Sequence, residues 1–134
     1  MRRFVKQYAS EAKAVRVMRD DITRFAGVCG FSGDTVNEIC IASGEAFINA
    51  VEHGHVPGSS VDVAYSSDER GMTISIKDAG GGLEPSEKTW KSVVDKPYPG
   101  GYGRLMMGAL MDEVITHIDP GDGTTVVMRK NSAE

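Results

Sequence analysis

Apolar residues recur at steps of three and four over most of the first fifty positions, and at steps of two in four short runs of the remainder. From Glu11 to Cys29, the residues Val15, Met18, Ile22, Phe25 and Cys29 form one stripe, with Lys13, Arg16, Arg19, Asp20 and Thr23 opposite. That period predicts an amphipathic helix, with Gly30 as its C-terminal cap. Ahead of it, Arg2 to Ala9 carries Phe4, Val5 and Tyr8 and reads as an opening strand that ends at Ser10, an N-cap residue. Ser32 is the next predicted N-cap, with Asp34 in the first turn where the helix dipole favours an anion. This second helix is expected to run to about Glu52 or His53. Val36, Ile39, Cys40, Ser43, Ala46, Phe47, Ala50 and Val51 fill a wide apolar arc, and Glu38, Ala42, Glu45, Asn49, Glu52 and His53 form a polar strip across from it. Gly54, Pro57 and Gly58 break the pattern.

Alternation then takes over. Ser60 to Ser66 alternates around Val61, Val63 and Tyr65, and Met72 to Lys77 around Met72, Ile74 and Ile76. With Ser67–Gly71 between them, the two runs predict an antiparallel hairpin. Residues 83–99 contain three prolines and weak periodicity, with at most a short helix at Glu87–Val94; a connector of that length suggests a lid or binding loop. Gly100–Gly103 opens a third helix through Leu105, Met106, Ala109 and Leu110 to about Asp112. Glu113–Ile118 and Thr124–Lys130 are two further strands around the turn sequence Asp119–Gly123. The order β-α-α-β-β-loop-α-β-β favours an α+β sandwich over a doubly wound sheet.

Composition narrows the classes. The 134 residues are expected to form a single domain, 1–134, able to bury a core unaided by disulfides or metal. A net charge of −4 argues against non-specific nucleic-acid binding. Cys29 and Cys40 sit at apolar helical positions without a metal-binding spacing, and read as buried thiols in a reducing cytosol. No apolar run approaches the ~18 residues that a membrane span requires. The basic N-terminus lacks the hydrophobic region of a signal peptide, so a cytoplasmic protein is expected.

The chemistry-bearing positions are few. Glu45, Asn49 and His53 recur every four residues on one helix, where a carboxylate and a carboxamide can accept a proton and hold a hard cation. For an arbitrary helix such a strip is simply the solvated face; here the wide apolar arc makes it one of few openings in a buried element. His53 and His55 are two apart and do not share a helix face, which argues against zinc. Asp78-Ala79-Gly80-Gly81-Gly82 follows a buried strand, where a carboxylate can accept a hydrogen bond from an exocyclic amine and the glycines leave room for a ring. Gly100–Gly103 at a helix start is a second anion-site candidate. The dinucleotide fingerprint fails, because Met106 stands at its third glycine and Pro97-Tyr98-Pro99 at its preceding strand; the P-loop fails for want of Gly-Lys-Ser/Thr. Ser43 lies in A-S-G-E on the apolar arc, without a triad. The arginines of the first helix read better as a solvated face than as a docking surface.

Taken together and in order, four segments resemble the N, G1 and G2 boxes of the GHKL ATPase superfamily, which includes gyrase B, histidine kinases and MutL. They are E-x-x-x-N-A-x-x-H at Glu45–His53, D-x-G-x-G at Asp78–Gly82, G-G-x-G at Gly100–Gly103 and G-T-T-V at Gly123–Val126. V-E-H after the asparagine and L-M-D-E-V at Leu110–Val114 look most like the anti-sigma-factor serine kinases. The resemblance implies the Bergerat fold, a two-layer α+β sandwich of three main helices on a mixed, largely antiparallel sheet. It implies ATP and Mg²⁺, with Glu45 as general base, Asn49 as Mg²⁺ ligand, and Asp78 reading the adenine amino group. Gly80 and Gly82 would line the base pocket, Gly101 and Gly103 would hold phosphates, and Thr125 would lie under adenine. His53, Gly100, Tyr102 and Arg104 would also border the nucleotide. Arg104 replaces a commonly apolar residue, leaving phosphate contact and solvent exposure both open.

The implied function is a serine-protein kinase that binds a sigma factor and phosphorylates a STAS-type anti-sigma-factor antagonist, with a homodimer left open. The alternative is a non-catalytic ATP-dependent switch that docks a signalling partner or phosphatase. The absence of a phospho-accepting histidine helix speaks against a sensor kinase. Hydrolysis in the manner of gyrase is a weaker reading, since no transducer domain follows.

Overall fold

The computed structural model describes residues 2–54, 58–78, 107–119 and 123–132. Five strands, β1 (Arg2–Ala9), β2 (Ser60–Asp68), β3 (Gly71–Lys77), β4 (Glu113–Asp119) and β5 (Gly123–Asn131), form a sheet in the order β1-β2-β3-β5-β4. Every described ladder is antiparallel. Two helices, α1 (Val15–Val28) and α2 (Gly33–Gly54), cover one face together with a helical turn at residues 107–110. This is the expected α+β sandwich.

Local chemistry explains the element ends. The first α-helix begins at Val15 rather than at Glu11, because Ser10 makes no capping bond. Glu11 N–H instead reaches the Ala9 carbonyl at 2.8 Å, and a tighter 3₁₀ turn (Ala12–Ala14) leads into α1. The far end closes as expected: Gly30 takes φ 90°, Phe31 N–H reaches the Ala26 carbonyl at 3.2 Å, and Gly30 N–H reaches Gly27 at 3.0 Å. Ser32 caps α2, its Oγ accepting from Thr35 N–H at 3.3 Å. The β2–β3 hairpin is tighter than the alternation suggests. Pairing continues to Asp68↔Gly71, and Asp68 Oδ1 accepts from the amides of Arg70 and Gly71 at 2.7 and 3.0 Å. That carboxylate supplies the turn with the bonds that its own backbone lacks.

The core lies between the layers. Met18 and Ile22 of α1, Ile39 and Phe47 of α2, and Val63, Tyr65, Ile74, Ile76 and Met128 of the sheet are buried in one cluster. Each such side chain contributes roughly 1.5–3 kcal/mol by leaving water. Cys40 is buried as expected, whereas Cys29, at the end of α1, is only half-buried. Helix position and polarity disagree at Asp21. Asp21 is 4% exposed and joins α1 to the sheet, its Oδ2 accepting from the Tyr8 hydroxyl at 2.6 Å and Lys6 Nζ at 3.0 Å, while Oδ1 pairs with Arg24. Tyr8 and Tyr65 share a further hydrogen bond of 2.6 Å. Burial by itself raises the Asp21 carboxyl, but the bonds from Tyr8 and Lys6 and the charges of Lys6 and Arg24 outweigh it and hold it below the usual carboxylate range. Burial first, then the bond to Asp21, pushes the Tyr8 hydroxyl far above its ordinary value.

Candidate functional site

The second helix supplies the first half of the site. Its burial does not follow the polar strip read from the sequence. Ala42, assigned to that strip, is fully buried, and the open side instead carries Asp34, Asn37, Ile41 and Glu52. Glu38, Glu45 and Asn49 are half-buried, so they occupy the margin where the solvent face turns into the packed arc. A margin is what a ligand-facing group needs, since it combines partial desolvation with access. Ser43 is buried and its Oγ has no hydrogen-bond partner among the described residues, so no base stands ready to make it a nucleophile.

The direction of that margin follows from two contacts. Glu38 lies 3.8 Å from Lys130 of β5, and Lys130 Nζ also donates to the Leu110 carbonyl, at the end of the helical turn at 107–110. Phe47, two and a half turns further along α2, meets Tyr8 edge-on with ring centroids 5.9 Å apart. Lys130 belongs to the sheet row of Met72, whereas Tyr8 pairs with Val61, next to the Asp62↔Lys77 pair at the opposite end of the sheet. The helix therefore runs from the Lys130 end of the sheet toward the end where Asp78 follows β3. At ~1.5 Å per residue, Asn49 lies about 16 Å beyond Glu38. Five strand residues at ~3.3 Å cover the same span, which brings Asn49 roughly level with Thr125.

Asp78 supplies the second half. Asp78 is 6% exposed, its amide donates to the Thr124 carbonyl at 3.1 Å, and its Oδ1 accepts from Thr124 N–H at 3.1 Å. A buried carboxylate oriented by a neighbouring strand's backbone is a rigid acceptor of the kind an exocyclic amine can address. Thr125 is half-buried and pairs with Lys77, one residue from Asp78. The sequence offered no sign of the Thr124 contact, because it is made by backbone atoms 46 residues away. Nor did it show that Glu38 shares the margin with a lysine partner, although its spacing of seven from Glu45 carries the helical period.

The structure thus brings Glu45, Asn49 and Asp78 to one half of the sandwich, over β3 and β5; the expected Thr125 does not join them, because it alternates with the buried Val126 and Met128 and so stands on the sheet face away from the helices. His53 is helical in its backbone; its side chain, together with Gly80, Gly82, Gly100, Gly101, Tyr102, Gly103 and Arg104, lies outside the described residues, as does the 83–99 connector. Among the described residues, no group of three or more His, Cys, Asp and Glu side chains could form an all-protein metal cage. Asn49 nonetheless fits an ion of the Mg²⁺ type, which takes one or two protein oxygens and completes its octahedron with phosphate and water. Among the described residues no helix is long and apolar enough to cross a membrane.

A buried carboxylate at a strand end, on the sheet face covered by a helix whose margin bears a carboxylate and a carboxamide, is an arrangement compatible with an α+β nucleotide-binding domain. Comparison with known proteins makes the class specific. Residues 8–130 match the family described as histidine kinase-like ATPase domain, and the chain belongs to that family. It is 31% identical to the serine-protein kinase RsbW of Bacillus licheniformis over 126 residues, covering 87% of this chain and 77% of that protein. It is 28% identical to the anti-sigma F factor of Clostridium acetobutylicum, covering 86% of this chain and 83% of that protein. The structure of the RsbU and RsbW domains of Rv1364c from Mycobacterium tuberculosis superposes over 100% of this chain with a TM-score of 0.73 at 19% identity. The chain covers 34% of that solved chain, and the likeness there is one of fold. The enzyme class that the relatives establish is that of a serine/threonine-protein kinase.

Proposed function

We propose that the protein binds a sigma factor and, using Mg·ATP, phosphorylates a serine on a STAS-type anti-sigma-factor antagonist, as a partner-switching regulator. The observation that carries this reading is the convergence on one half of the sandwich of a buried, backbone-oriented Asp78 and the half-buried pair Glu45 and Asn49. The similarity to proteins named serine-protein kinase and anti-sigma F factor supports it.

In this reading, Asp78 accepts the adenine amino group, and Oδ1 stays fixed on Thr124 N–H while it does so. Asn49 would hold Mg²⁺ through its carboxamide oxygen, and the ion would supply positive charge against the negative charge on the transferred phosphoryl group. Glu45, one helical turn from Asn49, takes the proton of the incoming serine hydroxyl. Its half-burial keeps it accessible to an acceptor while shielding it from bulk water. Gly80, Gly82, Gly100, Gly101, Tyr102, Gly103, Arg104 and His53 complete the nucleotide site.

The test is incubation of the protein with Mg·ATP and candidate antagonists, followed by intact mass. A phosphoryl increment on the antagonist, absent with Glu45→Ala while ATP affinity is retained, is the expected outcome. Mg·ATP-dependent docking of a partner without any labelled product would replace the kinase by a non-catalytic switch. Unimpaired transfer by the Glu45→Ala protein would remove Glu45 from the role.

A further inference from the structure

The charge of the chain is unevenly placed. Residues 1–24 hold seven Lys and Arg (Arg2, Arg3, Lys6, Lys13, Arg16, Arg19, Arg24) and three acids (Glu11, Asp20, Asp21), a balance of +4; the rest of the chain therefore carries −8 of the net −4. The basic excess begins in β1, which has three cations and no acid. Among the described residues that strand is also an edge of the sheet, paired with β2 alone. Its backbone direction can be read from two bonds: Arg2 N–H donates to Ser67 Oγ at 3.3 Å and Ser10 N–H to the Ser59 carbonyl at 3.0 Å, both on the β2 side. In an antiparallel ladder the amides alternate, so those of Arg3, Val5 and Gln7 point outward from the sheet.

The side chains along this edge are not those of a merely protected one. Charged residues on an edge commonly deter pairing. Here the two arginines stand beside Phe4, 39% exposed, and Val5, 56% exposed. Phe4 is half-held by stacking on Tyr65, with centroids 5.3 Å apart, and so presents its ring to the edge in a fixed position. Arg2 and Arg3 are both exposed, and none of their guanidinium groups enters an ion pair among the described residues. Lys6 is tied to Asp21 and adds to the local field.

We infer that the outer edge of β1 is a docking site for an extended acidic segment of a partner protein, added as a sixth strand. The segment has two adjacent apolar residues opposite Val5 and Phe4 and acidic residues flanking them, opposite Arg3, Arg2 and Lys6. Outward backbone groups of Arg3, Val5 and Gln7 supply the hydrogen bonds, and the alternate side chains supply the selection. A second β1 does not fit, because like charges would stand opposite one another. The acidic edge β4 of another copy has complementary charge, but a β4-to-β1 contact is head-to-tail and leads to open chains of subunits. This surface is separate from the nucleotide site and its occupation does not depend on ATP.

The experiment uses the full chain and a fluorescent peptide with two central valines flanked on each side by two glutamates. Saturable binding is expected, weakened by salt and by roughly three- to tenfold in Arg3→Glu, the range set by reversing a cross-strand charge pair. Arg3→Glu should unfold at the same temperature as the parent, since the residue is exposed. Amide exchange by NMR is the decisive readout, with Arg3, Val5 and Gln7 gaining protection on binding. No binding at millimolar peptide overturns the inference. So does binding that leaves these three amides unprotected, which would reduce the contact to diffuse charge attraction. Concentration-dependent growth of the free chain, abolished by Glu113→Lys, would assign the edge to β4 of another copy instead.

Discussion

Replacing Tyr8 by Phe removes one oxygen atom from the junction between β1, β2 and α1, and its cost can be worked from the geometry. That hydroxyl meets Asp21 Oδ2 and the Tyr65 hydroxyl, each at 2.6 Å. Tyr65 is completely buried, and Tyr8 is its only hydroxyl partner among the described residues. A hydrogen bond to a charged acceptor contributes about 1.5–3 kcal/mol, and a buried hydroxyl left without a partner costs about 1–3 kcal/mol more. Relaxation and the easier burial of a phenyl ring offset part of this, leaving about 2–4 kcal/mol of net destabilisation. For a domain of this size each kcal/mol moves the melting point by roughly 3–5 °C, so a fall on the order of 10 °C is expected. Urea unfolding read by circular dichroism measures the free-energy change directly. A double-mutant cycle then isolates the reason. Tyr65→Phe in the Tyr8→Phe background removes the orphaned hydroxyl, so the two changes together should cost about 1 kcal/mol less than their sum. A Tyr8→Phe protein within about 0.5 kcal/mol of the parent, or strictly additive losses, would refute the account of the network as a satisfied, cooperative unit.

Four further outcomes follow from the same geometry. Asp21 has its carboxyl depressed in the folded state, so its contribution is complete above the unfolded value near ~3.9 and is lost as the pH falls through the lower folded value. The stability gap between the parent and Asp21→Asn should therefore narrow steadily below about pH 4, as measured by unfolding across pH. Gly71→Ala should destabilise by about 1–3 kcal/mol or more, since its Cβ would stand 2.2 Å from the Lys130 carbonyl oxygen at a φ of 157°; a neutral result in thermal melts would contradict the β3–β5 register. Gly27→Ala, in exposed α1 with nothing within 4 Å of the new methyl, should instead stabilise by about 0.5–1 kcal/mol. Asp78→Asn keeps an acceptor for Thr124 N–H and exchanges the carboxylate for an amide. Calorimetry should show ATP binding weakened by roughly ten- to a hundredfold with folding intact, the range of one charge-assisted hydrogen bond.

Much of this protein was legible before any coordinates. The 3.6-residue stripe of Val15, Met18, Ile22 and Phe25, and the alternation of Val61, Val63, Tyr65 and of Met72, Ile74, Ile76, announce elements whose burial is local in cause. A chain with such a stripe must cover it, and the period leaves few ways to do so. Ser32 and Gly30 mark helix ends because capping is a short-range hydrogen-bonding matter. Ser10 fails by the same logic, since the backbone offered Glu11 a competing partner in Ala9. The motif order from Glu45 to Val126 likewise carried the family, because close backbone approach and charge placement restrict those positions to few residue types.

Tertiary structure decided what depends on neighbours distant in sequence. Ala42 was counted as part of a polar strip and is buried, because the sheet and not the helix sets where solvent begins. Asp21, on a helix read as basic on its outer face, turns inward because Tyr8, Tyr65 and Lys6 offer its carboxylate more than water does. The orientation of Asp78 by Thr124 arises from strand pairing between residues 46 apart, made by backbone atoms that every residue shares. Side-chain identity specifies local conformation through sterics and periodicity, but which groups meet across a sheet is fixed only when the strands choose their order and register.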